Sequence, residues 1–67
     1  MNLEAFLDGF AQGAHLKRSD ADEQWAGFSR QLSDRERERI ERGGFARGKA
    51  EGQKFAAMFA DQEGNDD

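Results

Sequence analysis

The chain has 67 residues, a mass of 7.5 kDa and a formal net charge of -4. Cys, Pro, Tyr, Val and Thr are absent, and Ile40 is the only β-branched residue. This composition excludes disulfides, thiolate metal sites and His-rich metal sites, and it argues against a sheet, which draws on β-branched residues. Length sets a ceiling of one small domain, and a domain this small is marginally stable unless a partner or a second copy helps it.

Ten of the hydrophobic residues are Ala, and the larger ones are four Leu, one Ile, two Met, six Phe and one Trp. Ala, Glu, Arg, Leu and Gln favour helix. The expected fold is all-α: two short helices packed on one long C-terminal helix, as a dimer. Residues 1–60 make the domain and residues 61–67 a disordered acidic tail. The start Met1-Asn2-Leu3-Glu4 lacks the basic region of a signal peptide. No apolar run is long enough to span a bilayer. A cytoplasmic location is the corresponding expectation.

The first helix is expected over about 2–17. Leu3, Phe6, Leu7, Phe10 and Ala14 recur at three- and four-residue spacing and share a face. A second helix is expected to start at Asp20, with Asp20 as cap and Glu23 three residues on. It sets Ala21, Trp25, Phe28 and Leu32 on one stripe and ends near Leu32. Trp25 and Phe28 are expected in the core.

Ser33-Asp34-Arg35-Glu36 is a capping box and opens the third helix. That helix is expected to run to about Ala60, straight through Gly43-Gly44. The stripe Ile40, Gly44, Gly48, Glu51, Phe55, Met58 and Phe59 keeps its phase across the pair. Arg35, Arg39, Arg42 and Lys49 then fall on the opposite side. Residues 30–54 are locally basic within an acidic chain.

Gly44, Gly48 and Gly52 stand four residues apart, as do Gly9 and Gly13. Each Gly inside a helix costs about 1 kcal/mol against Ala, so something should offset them. Glycines at i and i+4 form a flat groove that another backbone can approach closely. The favoured expectation is a groove between chains, with Ile40, Gly44, Phe45, Gly48, Gly52, Phe55 and Phe59 as the partner or dimer interface. The alternatives are packing of the first helix on the third within one chain, and glycines that merely loosen a flexible helix. Gly9-Phe10-Ala11-Gln12-Gly13 also matches Gly44-Phe45-Ala46-Arg47-Gly48 at four of five positions, a faint internal repeat. Residues 44–53 resemble, in composition, the GxxxG-repeat stretches of flagellar and type III secretion stator proteins. The likeness covers ten residues of 67, and no function is carried across it.

Catalytic, cofactor and metal sites are not expected. Asp20, Asp22 and Glu23 read as helix N-terminal charges, and His15 as a solvated residue near a helix end. The expected function is therefore a non-catalytic protein–protein interaction module, a small regulator or inhibitor of the kind phages and mobile elements encode, docking on a larger protein. One alternative is a nucleic-acid-binding regulator that uses Arg35, Arg39, Arg42 and Lys49 on phosphates. Another is a helical oligomerisation or scaffold component.

Overall fold

A computed structural model describes the backbone of residues 3–64 and the side chains of residues 3–58. The element order is α1 (Leu3–Ala14), α2 (Arg18–Ser29), α3 (Asp34–Glu41) and α4 (Gly44–Gly64). Every regular element among the described residues is helical. None of these helices is long and apolar enough to cross a membrane.

Local chemistry sets each boundary. α1 ends three residues before the expected Lys17, in a Schellman turn. The Leu16 amide donates to the Ala11 carbonyl at 2.9 Å and the His15 amide to the Gln12 carbonyl at 3.3 Å. His15 takes the left-handed backbone this turn requires, with φ 59°. Leu16 follows it and packs against the core, the apolar contact that accompanies such turns.

This turn starts α2 earlier than expected. The N-cap is Lys17, which offers no side-chain cap, so Asp20 lies inside the first turn rather than capping it. Its charge still suits the positive end of the helix. α2 stops at Ser29, and Leu32 sits in the connection that follows.

Ser33 begins α3 as its motif requires. Its backbone is extended, and its hydroxyl accepts from the Glu36 amide at 3.2 Å. The expected long helix is not continuous. α3 closes at Arg42, whose amide bonds the Glu38 carbonyl at 2.9 Å. The Gly43 amide then bonds the Ile40 carbonyl at 3.1 Å. Gly44 turns left-handed with φ 69°, and α4 departs in a new direction. Phase continuity of the stripe was a poor guide here, because two adjacent glycines make that turn at little cost. α4 runs on to Gly64, four residues beyond the expected Ala60. The rest of the expected acidic tail, residues 65–67, lies outside the described residues.

The largest helix contact is between α1 and α4, the first and last elements. α1 inserts Phe6 and Phe10, both essentially fully buried, with Leu7, Ala11 and Ala14 beside them. α2 lays Ala21 and Trp25 on this face. The Trp25 ring centroid is 4.7 Å from Phe6 and 5.7 Å from Phe10, both tilted, the arrangement aromatic quadrupoles favour. α4 adds Phe55, with its ring 5.5 Å from Phe10. α3 contributes half-buried Ile40 and no fully buried residue.

His15 is exposed and uses an unfavourable backbone region for a residue with a Cβ. His15→Gly is expected to raise unfolding free energy by about 1 kcal/mol. Gly44→Ala is expected to lower it by about 1–2 kcal/mol, because Ala must adopt φ near that value. Urea titration followed by far-UV circular dichroism measures both.

Candidate interaction surfaces

The four spaced glycines of α1 and α4 form one seam. A methyl group at Gly9 would overlap the Phe45 carbonyl oxygen and crowd the Lys49 amide. One at Gly48 would overlap the Phe6 carbonyl oxygen and crowd the Phe10 amide. Gly13 meets the Lys49 carbonyl and the Gln53 amide, and Gly52 meets the Phe10 carbonyl and the Ala14 amide. Numbering rises together along both helices, so they run parallel.

The pattern is reciprocal. Each glycine faces the carbonyl three residues before, and the amide one residue after, its opposite number. Gly9 is thus paired with Gly48 and Gly13 with Gly52, related by a local two-fold axis between the helices. The hydrogen standing in place of each side chain points at a carbonyl oxygen, the geometry of a Cα–H···O contact, worth about 0.5–1 kcal/mol each. These contacts and the backbone proximity they allow offset the propensity cost of helical glycine.

The groove of α4 is therefore filled by α1 of the same chain. The favoured expectation of a groove between chains is corrected for Gly48 and Gly52. Gly44 is buried at the α3–α4 turn. Ile40 and Phe55 are half-buried against the core. Phe45 is 45% exposed. The side chain of Phe59 lies outside those described. The faint repeat is not the structural correspondence either. It aligns Gly9 with Gly44, one turn away from the Gly48 it faces.

A second surface lies where α1, α2 and α3 meet. A groove of about 300 Å³ is lined by Leu3, Leu7, Asp22, Trp25, Ala26, Ser29, Arg37 and Glu41. The Trp25 Nε1–H donates to the Glu41 carboxylate at 2.8 Å, which ties α2 to the end of α3 and holds one wall. The Ser29 hydroxyl donates to the Ala26 carbonyl at 3.3 Å, so this buried polar group is satisfied within its own helix. Leu3 is 36% exposed. Phe28 is 38% exposed, and its ring is 5.7 Å from Trp25. Trp25 thus occupies the core as expected, whereas Phe28 does not. α2 presents Trp25 inward, and the next turn of the stripe rolls Phe28 to the edge.

Charged residues near the groove are engaged. Arg18 bridges Asp8 of α1 at 2.6 Å and Asp22 of α2 at 3.3 Å. Desolvation pulls the guanidinium pKa down, but hydrogen bonds to Asp22 and Asp8, and their charges, outweigh it and leave it raised. Asp20 and Glu23 are exposed on α2. The basic candidates Arg35, Arg39, Arg42 and Lys49 are all exposed. Arg42 lies 3.8 Å from Glu38. The break at Gly44 removes the single-helix phase that put Lys49 on one side with the arginines of α3. No family model, curated protein or solved structure matches this chain.

The glycines separate by what surrounds them. Gly27 lies in α2 with no atom near a Cβ position. Gly27→Ala is expected to stabilise by about 0.5–1 kcal/mol. Gly9→Ala and Gly48→Ala are expected to destabilise by about 2–4 kcal/mol, because backbone on the facing helix must retreat. Urea midpoints of the three variants test the seam.

Proposed function

We propose that this chain is a non-catalytic protein–protein interaction module, a small regulator or inhibitor that docks on a larger protein. The observation that carries this reading is the groove between α1, α2 and α3. Its apolar lining of Leu3, Leu7, Trp25 and Ala26 is held in place by the Trp25–Glu41 hydrogen bond, and Leu3 and Phe28 stand partly exposed beside it. Aromatic and aliphatic anchors beside a rigid pocket are the usual centre of a docking surface.

The experiment is site-specific photo-crosslinking in the native host. A crosslinking residue at Phe28 is compared with one at Arg39, and adducts are identified by mass spectrometry. The expected result is one discrete adduct from position 28, lost in Leu3→Glu, with none from position 39. Equal or absent labelling at position 28 overturns the reading.

A second reading rests on α3. Arg35 and Arg39 are exposed and form no ion pair among the described residues, which leaves them free for phosphate. Fluorescence anisotropy with duplex DNA at low salt tests it. Binding that weakens steeply with salt and falls in Arg35→Glu/Arg39→Glu supports a nucleic-acid regulator. Absence of binding at about 20 mM salt, far below the ionic strength at which phosphate contacts are screened, sinks it.

A further inference from the structure

The turn between α3 and α4 is short. Arg42 keeps helical backbone, with φ -65° and ψ -20°. Gly43 follows, and Gly44 swings to φ 69°. α4 makes its large contact with α1 and only a small one with α3. The turn is therefore a joint between two packed units, α4 on one side and α1, α2 and α3 on the other.

The joint carries a pattern that a turn does not need. Two helices separated by a left-handed residue have no reason to share a wheel phase. Yet Ile40 and Glu41, the only residues of α3 that are not exposed, share an arc with Gly44, Gly48, Gly52 and Phe55 of α4. On one continuous helix at 100° per residue these six fall within about 120°. Straightening the turn gives a single helix from Asp34 to Gly64, about 46 Å long, with that stripe along one side. Its first part still lies on its own core at Ile40. Its second part carries Gly48, Gly52 and Phe55 away from the α1 of its own chain.

We infer that Gly43-Gly44 is a hinge, and that the chain has a second, open form in which α3 and α4 are one helix and α4 seats on α1 of a second copy. The exchange is mutual, so two chains close two seams. The seam itself selects the occupant. A helix that fits Gly9 and Gly13 must carry glycines four residues apart and an aromatic residue beyond them that reaches Phe10. α4 of any copy supplies both, and the seam contacts of the closed form are remade between chains. Such exchange is a low-cost route to a dimer, and short hinges invite it. The two forms then balance near the concentration that a short connection imposes on α4 beside its own α1, on the order of mM. The two glycines hold the balance on the closed side. A Cβ at Gly43 would overlap the Arg47 Cβ, and one at Gly44 is strained by the positive φ. A continuous helix imposes neither penalty and favours Ala over Gly.

The α1–α2–α3 groove is complete within each copy in both forms, so the docking reading stands or falls separately. Sedimentation equilibrium of the full chain tests the exchange. The natural sequence refolded at about 1 mM is expected to hold a dimer fraction that is absent after refolding at about 10 μM. Gly43→Ala/Gly44→Ala is expected to lower the dimer Kd at least about a hundredfold, with helicity by far-UV circular dichroism retained. Complementation separates an exchanged dimer from one on another face. In the Gly43→Ala/Gly44→Ala background, Gly9→Leu and Gly48→Leu each put one Leu into every seam. Unfolding the two variants together and refolding the mixture gives, on exchange, a heterodimer with one seam free of Leu and the other carrying both. The mixture is expected to regain dimer and helicity that either variant alone lacks. A natural chain wholly monomeric at about 1 mM, a double-Ala variant that stays monomeric there, folded or unfolded, or a mixture no better than its components overturns the proposal.

Discussion

The closest constraint in this molecule is the distance between two backbones. Gly9, Gly13, Gly48 and Gly52 let α1 and α4 approach until carbonyl oxygens of one helix occupy the space where side chains of the other would stand. Most helix pairs keep their axes 8–10 Å apart through interdigitated side chains. Here side chains are removed from the contact and displaced to its flanks. Phe6 and Phe10 stand beside the seam, and the core gathers around them instead of between the helices. A chain with 14 large apolar residues cannot fill a conventional layer between helices. Removing the layer solves that shortage.

The remaining helices follow from this arrangement. Two parallel helices at opposite ends of a chain need a crossover, and α2 and α3 supply it. α2 lids the aromatic pair with Trp25, and the indole N–H, which would be costly to bury unpaired, finds Glu41. That bond keeps α3 against α2 although α3 buries no residue fully. Arg18 does similar work at the other end by joining Asp8 and Asp22. These exposed ion pairs contribute little individually. They fix direction more than stability.

Much of the architecture was legible in residue types. A single β-branched residue, Ile40, argues against strands. The apolar spacing of Leu3 to Ala14 located α1, and Ser33 located the start of α3 because its hydroxyl is the cap that the motif requires. What was not legible depends on contacts distant in sequence. Glycine spacing announces a groove but does not say which helix fills it, since the local chemistry of a seam within a chain and one between chains is the same. His15 concealed a helix end, because the left-handed position is usually Gly. Gly43-Gly44 carried the turn signal, but the wheel phase on both sides outvoted it. Of the surfaces, exposed Phe28 and Phe45 could not be told from core aromatics by spacing alone. The groove beside Trp25 exists only once α3 folds back on α2.

The seam also has a bearing on how the chain is made. Its partners lie near opposite ends of the described sequence, so its contacts are among the least local the fold contains, and fold speed falls as such contacts dominate. During vectorial synthesis α2 follows α1 directly and can lay Trp25 on Phe6 and Phe10, but the glycine seam waits until α4 has been translated. α1 alone is at the length where isolated helices are marginal in water. The nascent chain therefore passes through an interval of seconds, at about 5–20 residues per second, in which the glycine face of α1 has no partner helix.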